Sequence, residues 1–167
     1  MTRNIAIIQA RGGSKRLPRK NVLPFMGKPI IFYTIEAARN SGLFEVIVVS
    51  TEDSEIAVTV EGAGCDIHAR STELASDTAR VVHVIGEVLK NYEKRGKRFD
   101  FFCCLYPTAP LRDAEDIRRS YDLLLFSGAD YCLAVTDYEL SPFFAFDLDE
   151  KGRVRRRWPE IALLPPW

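Results

Sequence analysis

Ile5-Ala6-Ile7-Ile8, followed by Gln9-Ala10-Arg11-Gly12-Gly13-Ser14-Lys15-Arg16-Leu17-Pro18-Arg19-Lys20-Asn21, is the stretch on which the fold turns. A short, continuous apolar run marks a strand buried on both faces, which belongs in a parallel sheet covered by helices. The segment that leaves it carries five cations, Arg11, Lys15, Arg16, Arg19 and Lys20, and no carboxylate. Gly12-Gly13 lets the backbone turn tightly and approach a ligand closely, so that amides face anionic oxygens. Guanidinium and ammonium groups then supply the counter-charge of a polyphosphate. The loop fits neither G-x-x-x-x-G-K-[ST] nor G-x-G-x-x-G, because no Gly-Lys-Ser/Thr occurs and the two glycines are adjacent.

Outward from this loop, two hydrophobic periods alternate. Ile31, Ile35 and Ala38 predict a helix from Pro29 to about Asn40, stopped by Gly42. Val46 to Val49 reads as a second buried strand, Ser54 to Glu61 as a short helix, and Cys65 to His68 as a third strand. A stripe of Val81, Val82, Ile85, Val88, Leu89 and Tyr92 predicts a helix over about Thr78 to Lys94. Phe101 to Leu105 comes next as a strand. Asp113 is placed to cap a helix with Ile117, Tyr121, Leu124 and Leu125 on its inner face, ended by Gly128. Tyr131 to Val135 reads as another strand, and Phe143 to Leu148 as extended chain entering a turn at 149–152. Strands alternating with helices imply an α/β, three-layer, Rossmann-like fold with a mostly parallel sheet. Ligands of such sheets bind beyond the C-terminal strand ends, which directs attention to the loops after Ile8, Val49, Leu105 and Val135.

Composition narrows the function classes. The 167 residues suit a single domain, and 23 basic residues balance 23 acidic ones, which argues against a nucleic-acid coat. No apolar run reaches the roughly 20 residues of a membrane helix, and the first apolar segment is too short for a signal peptide, so a cytoplasmic protein is expected. Cys65, Cys103, Cys104 and Cys132 form no C-x-x-C, and neighbours such as Cys103 and Cys104 point to opposite faces of a strand. They read as reduced, mostly buried thiols, and His68 and His83 as structural, so no metal ligand is assigned.

Ala10-Arg11-Gly12-Gly13-Ser14-Lys15 with Lys20-Asn21 resembles the A-R-x-G-S-K-x-x-x-x-K-N signature of the acylneuraminate cytidylyltransferases, the CMP-sialic acid synthetases. The resemblance continues through Gly27-Lys28-Pro29, 41–44, Val49-Ser50-Thr51-Glu52-Asp53, Arg70 to Asp77, and Pro107-Thr108-Ala109-Pro110-Leu111-Arg112. It implies a nucleotidyltransferase fold and transfer of CMP from CTP to the anomeric hydroxyl of an acidic nine-carbon, nonulosonic sugar, with pyrophosphate released. It further implies Mg2+ and a homodimer; the apolar run 138–146, with Phe143, Phe144 and Phe146, is more than an exposed hairpin should show to water and is expected at the subunit interface. By this resemblance Arg11 and Lys20 are catalytic, while Arg11, Gly12, Gly13, Ser14, Lys15, Asn21, Arg70 and Asp77 bind nucleotide. Arg19 matches no fixed family position and is expected to act only through the general field.

The chain departs from the pattern in places. Ala79 and Val81 stand where hydroxyl residues are common. Tyr106 replaces the glutamine of sialic acid members, resembles the pseudaminic acid branch, and is assigned to the sugar. The family's C-terminal segment, with an aspartate-rich metal stretch, is apparently absent from 1–167. Arg16-Leu17-Pro18 partly echoes the CMP-Kdo synthetases, and a catalytically silent nucleotide-binding module is the reading from a different class.

Overall fold

The computed structural model describes every residue except Met1, Arg16, Asp77, Tyr138, Leu140 and 161–167. Four parallel strands form the sheet: β1 (Asn4–Gln9), β4 (Val46–Thr51), β5 (Asp66–Ala69) and β6 (Phe101–Leu105), in the order β5-β4-β1-β6. Two short strands, β2 (Pro24–Phe25) and β3 (Lys28–Pro29), make an antiparallel turn between the first loop and the first helix. The helices are α1 (Ile30–Ser41), α2 (Ser54–Val60), α3 (Val81–Lys94) and α4 (Ala114–Ser127).

The period of two along β1 sorts the core into two layers. Ala6 and Ile8 pack with Val49, Leu105, Ile31 and Ile35 of α1, Ile56 of α2 and Ile117 of α4. Ile5 and Ile7 face the other way, onto Val46, Val48 and the α3 residues Ile85, Val88 and Tyr92. The sheet is thus covered on both faces, as the continuous apolar runs require. Each side chain buried this completely contributes about 1.5–3 kcal/mol. Cys103 lies with the first layer and Cys104 with the second, and all four cysteines are free and partly buried.

Local signals fix the helix ends. Gly42 takes φ 70° and donates its amide to the Arg39 carbonyl, closing α1 with a conformation that residues bearing Cβ adopt poorly. Asp113 and Asp116 form a capping box at the start of α4.

Three expected elements differ. α3 begins at Val81 rather than Thr78, because Arg80 is extended (ψ 138°), and Val81 and Val82 are exposed. Tyr131 to Val135 is no strand. Tyr131, Leu133 and Val135 are 72%, 71% and 91% exposed, and no ladder reaches them among the described residues. Without a partner strand, extended backbone gains nothing over hydration by water. The third difference is Pro142–Phe144, where Pro142 and the Ser141 hydroxyl accepting the Phe143 amide favour a single 3-10 turn over extended chain. The chain divides into two units, 1–132 and 133–167. The second holds an antiparallel hairpin of β7 (Phe146–Leu148) and β8 (Val154–Arg156), whose connection includes the expected turn at 149–152.

Candidate active site

Parallel strands bring their C-terminal ends to one edge of the sheet, where Gln9 is level with Ser50, Thr51 with Ala69, and Ile8 with Leu105. Chain order runs outward from β1 to β4 and β5 on one side and jumps to β6 on the other. The strand order reverses between β1 and β6, the switch point at which sheets of this kind bind their ligands. The basic loop after β1 and the loop after β6 emerge there.

The basic loop is held rather than loose. The Ala10 amide donates to the Ser50 carbonyl at 3.1 Å, and the Ser14 amide folds back to the Gly12 carbonyl at 2.8 Å. Asn21, only 2% exposed, donates its side-chain amide to the Arg11 carbonyl at 2.8 Å, while its own Oδ1 is enclosed without a partner. Arg11, Gly12, Ser14 and Lys20 are partly buried, and Gly13 and Lys15 are exposed. The described cations therefore stand on a backbone anchored at several points.

Two carboxylates past the end of β4 hold this path. Gly12 donates its amide to Glu52 Oε1 at 2.8 Å. Arg19 reaches both oxygens of Asp53 with its terminal nitrogens, at 2.6 and 2.9 Å, and also pairs with Glu55. The Arg19 hydrogen bonds hold the Asp53 carboxyl below its usual value, and burial opposes them. Asp53 Oδ1 also caps α2 by accepting the Ile56 amide. The expectation for Arg19 is thereby corrected: it is a specific anchor of the loop, with φ 56° at its own residue, and not a diffuse charge. Gly12 gains a second meaning, since a Cβ there would lie 2.1 Å from Asp53 Oδ2. Absence of a side chain at Gly12 serves this intramolecular contact as well as any ligand.

Arg70 joins from the end of β5. Its Nη2 donates to the Ser50 carbonyl at 2.7 Å and its Nε to the Ser50 hydroxyl at 3.3 Å. His68 Nδ1 sits 3.2 Å from the same hydroxyl. Burial lowers the Arg70 guanidinium below its ordinary value, Glu52 and Glu87 oppose that shift, and Arg11 reinforces it. The fold thus brings Arg11 and Arg70 within electrostatic reach across 59 positions of sequence. Asp77 lies outside the described residues. Tyr106 stands at the exit of β6 with 55% exposure, while its carbonyl accepts the Thr34 hydroxyl at 3.2 Å and Arg112 Nη2 at 3.3 Å. Its backbone is fixed and its side chain is open to solvent.

The sequence alone assigns no role to Glu52, Asp53, or Thr34 and Arg112, whose Nη2 donates to the Thr34 hydroxyl at 2.9 Å. A signal existed: a basic loop containing no carboxylate needs acids from elsewhere, and Glu52-Asp53 is an acidic pair directly after a buried strand.

A family model described as cytidylyltransferase matches residues 5–139. The chain belongs to the cytidylyltransferase family. It is 37% identical over 153 residues to a pseudaminic acid cytidylyltransferase of Campylobacter jejuni, covering 91% of this chain and 66% of that protein. A CMP-N,N'-diacetyllegionaminic acid synthase of Legionella pneumophila is 37% identical over 160 residues, covering 95% of this chain and 68% of the relative. An N-acylneuraminate cytidylyltransferase of Escherichia coli is 40% identical over 166 residues, covering 91% of this chain and 39% of the relative. Among solved structures, a cytidylyltransferase of Leptospira borgpetersenii superposes with a TM-score of 0.62 at 27% identity, over 75% of this chain and 50% of that one. The chain spans slightly less than two thirds of the Campylobacter relative, and the residues matched by the family model include the whole basic loop.

Proposed function

We propose that the chain carries the nucleotide half of a CMP transfer from CTP to the anomeric hydroxyl of a nonulosonic acid. The observation that supports this reading best is the basic loop at the sheet's switch point, with Arg11 and the buried Arg70 held beside it, in a member of the cytidylyltransferase family. In the proposed reaction the sugar hydroxyl oxygen forms a bond to the α-phosphorus, the α–β bridging bond breaks, and the electron pair leaves with pyrophosphate. Such a displacement demands positioning and neutralisation of negative charge more than covalent chemistry. Gly12, Gly13 and Ser14 would offer amides, and Arg11, Lys15 and Lys20 cationic groups, to the triphosphate. Asn21 fixes the loop through the Arg11 carbonyl. Arg70 and Asp77 would bound the nucleotide side, and Tyr106 the acceptor.

The pseudaminic acid branch is the acceptor class favoured by Tyr106, together with the Campylobacter relative. Nonulosonate acceptors stand in the names of all three relatives quoted above, whereas the Kdo reading has the Arg16-Leu17-Pro18 echo and a likeness of fold alone, at 22% identity and a TM-score of 0.62, to a CMP:2-keto-3-deoxy-manno-octonic acid synthetase. Mg2+ is part of the proposal, yet no group of three His, Cys, Asp or Glu assembles a seat for it among the described residues. Glu52 and Asp53, the acids nearest the loop, are occupied by Gly12 and Arg19. No role in the reaction is assigned to these residues through the metal. Homodimerisation belongs to the same reading, supported by the exposed rings of Phe143, Phe144 and Phe146 in the second unit. A cytoplasmic location is proposed as well; among the described residues no helix is long and apolar enough to cross a membrane.

Pyrophosphate release with CTP, magnesium and a panel of eight- and nine-carbon acid sugars tests the reading. Turnover with a nine-carbon acid and tight binding of CTP over ATP are expected. CTP binding without turnover would establish the silent module, and preference for the eight-carbon acid the Kdo reading.

A further inference from the structure

The phosphate loop of this protein is tied to acids, which is unexpected in a site built to receive negative charge. Glu52 places Oε1 on the Gly12 amide at 2.8 Å. Its second oxygen, Oε2, is enclosed and makes no hydrogen bond, and Arg70 Nη1 stands 4.0 Å from it. The Arg70 side chain is only 4% exposed. One carboxylate therefore stands between two residues assigned to the nucleotide that come from different strands. Asp53, the next residue, takes both terminal nitrogens of Arg19 and lies so close to Gly12 that no Cβ fits between them. Glu52 grips the entry of the loop and Asp53 its exit.

The geometry points to Glu52 and Asp53 as a positioning clasp that sets the shape of the phosphate loop, with Glu52 coupling that loop to Arg70. This inference rests on the reading that the loop receives the phosphates of CTP. Neither acid touches the nucleotide in this scheme; each acts through the groups it holds. A loop that is gripped at both ends presents its amides and cations in one arrangement and loses little freedom when a ligand arrives. Glu52 also sets a chemical requirement. A neutral isostere keeps an acceptor for the Gly12 amide but leaves the buried Arg70 with Glu87 as its remaining nearby counter-charge, and truncation removes the acceptor as well. The two changes should therefore form a graded series.

The test compares the full chain with Glu52→Gln and Glu52→Ala, titrated with CTP and with CMP, alongside hydrogen exchange of the loop amides without nucleotide. Glu52→Ala should weaken CTP by about 10-fold or more, the loss expected when a charge-assisted hydrogen bond disappears. Glu52→Gln should fall between it and the wild type. CMP, with one phosphate, should change by about 2-fold at most, because the clasp acts through a loop that serves the longer phosphate chain. Amides of 11–21 should exchange faster in both variants while those of β1 stay protected. Equal losses for CTP and CMP would show that Glu52 merely supports the fold and would overturn the proposal, as would unchanged loop exchange. Should Glu52→Ala fail to fold, Glu52→Gln carries the same test. A wild type that binds no CTP would refute the functional reading, and the exchange pattern would still decide whether the clasp exists.

Discussion

The edge where β1 and β4 end and the run from Tyr131 to Val135 begin from similar sequence and finish differently. Ile5 to Ile8 and Tyr131 to Val135 are both short apolar runs. The first lies between two parallel neighbours and under helices on both faces, and none of its side chains meets water. The second has no ladder among the described residues, and its odd-numbered side chains lie mostly in solvent. Apolarity qualifies a segment to be a strand; partners on both edges make it one. The contrast extends to the loops. The loop leaving β1 inherits a fixed origin and is then gripped by Glu52, Asp53 and Asn21, so its cations stand on a rigid frame suited to charge stabilisation.

Arg11→Ala should produce the largest effect on that gripped side. If Arg11 meets charge that grows as pyrophosphate leaves, its loss should lower kcat by about 100-fold to 1,000-fold, on the order of 3–4 kcal/mol. Arg11→Lys should restore little, since an ammonium cannot reproduce the guanidinium fork. Steady-state kinetics at saturating CTP and acceptor would measure both, and a change in KM alone would remove Arg11 from the transition state.

Arg19→Ala comes next. Because Arg19 is anchored on Asp53, its removal should loosen the loop's exit and weaken CTP by about 10-fold, with the loss transmitted through misplacement. An effect of geometry should persist at about 0.15 M salt, where a diffuse field is largely screened. Asp53→Asn should reproduce the defect. If salt abolishes the difference between Arg19→Ala and wild type, the loop is a basic patch after all and the contrast between the two regions weakens.

Much of this was legible in the chain. The runs at Ile5, Val46 and Phe101, the glycine at 42 and the Asp113 cap each carry a local signal that tertiary structure left intact. The motif assigns Arg11 and Arg70 to the nucleotide but does not reveal their proximity, because a parallel sheet brings together strand ends far apart in sequence. The Glu52–Gly12 and Arg19–Asp53 contacts were hidden for the same reason, spanning 40 and 34 positions. Tyr131 to Val135 misled because periodicity reports what a side chain would bury and says nothing of whether a neighbouring strand exists.

His68 offers a smaller, pH-dependent test of the gripped side. Burial lowers its value from 6.5, with Arg70 and Arg95 adding and Glu87 opposing. A base whose folded value is depressed resists protonation in the native state. Its contribution is complete above the ordinary value of 6.5 and is lost as pH falls through the depressed one. Tm should therefore decline on acidification below 6.5, and His68→Asn should flatten that decline. Each linked kcal/mol corresponds to about 2–4 °C in a domain of this size. Asp53 has the same sign in a separate window, its stabilisation fading only below the ordinary carboxyl value of 3.8. An unchanged slope in His68→Asn would mean that the histidine is hydrated in solution.

Val135→Ser should have the smallest effect and bears most directly on the comparison. Val135 is 91% exposed, so replacing its methyl groups with a hydroxyl uncovers no surface that was covered before. The expected change in stability is within about 0.5 kcal/mol. Truncation at the other run provides the scale: Ile7→Ala removes fully buried methyl groups and should cost about 2–5 kcal/mol. Chemical denaturation of both variants at two protein concentrations distinguishes the outcomes. A cost above about 1.5 kcal/mol for Val135→Ser would show that the run is covered in solution. If that cost grew with protein concentration, the cover would be a second copy of the chain. If it did not, the cover would come from the same chain. A negligible cost would keep the distinction as drawn: an apolar run with strand partners builds the core, and the same kind of run without them leaves its side chains to water.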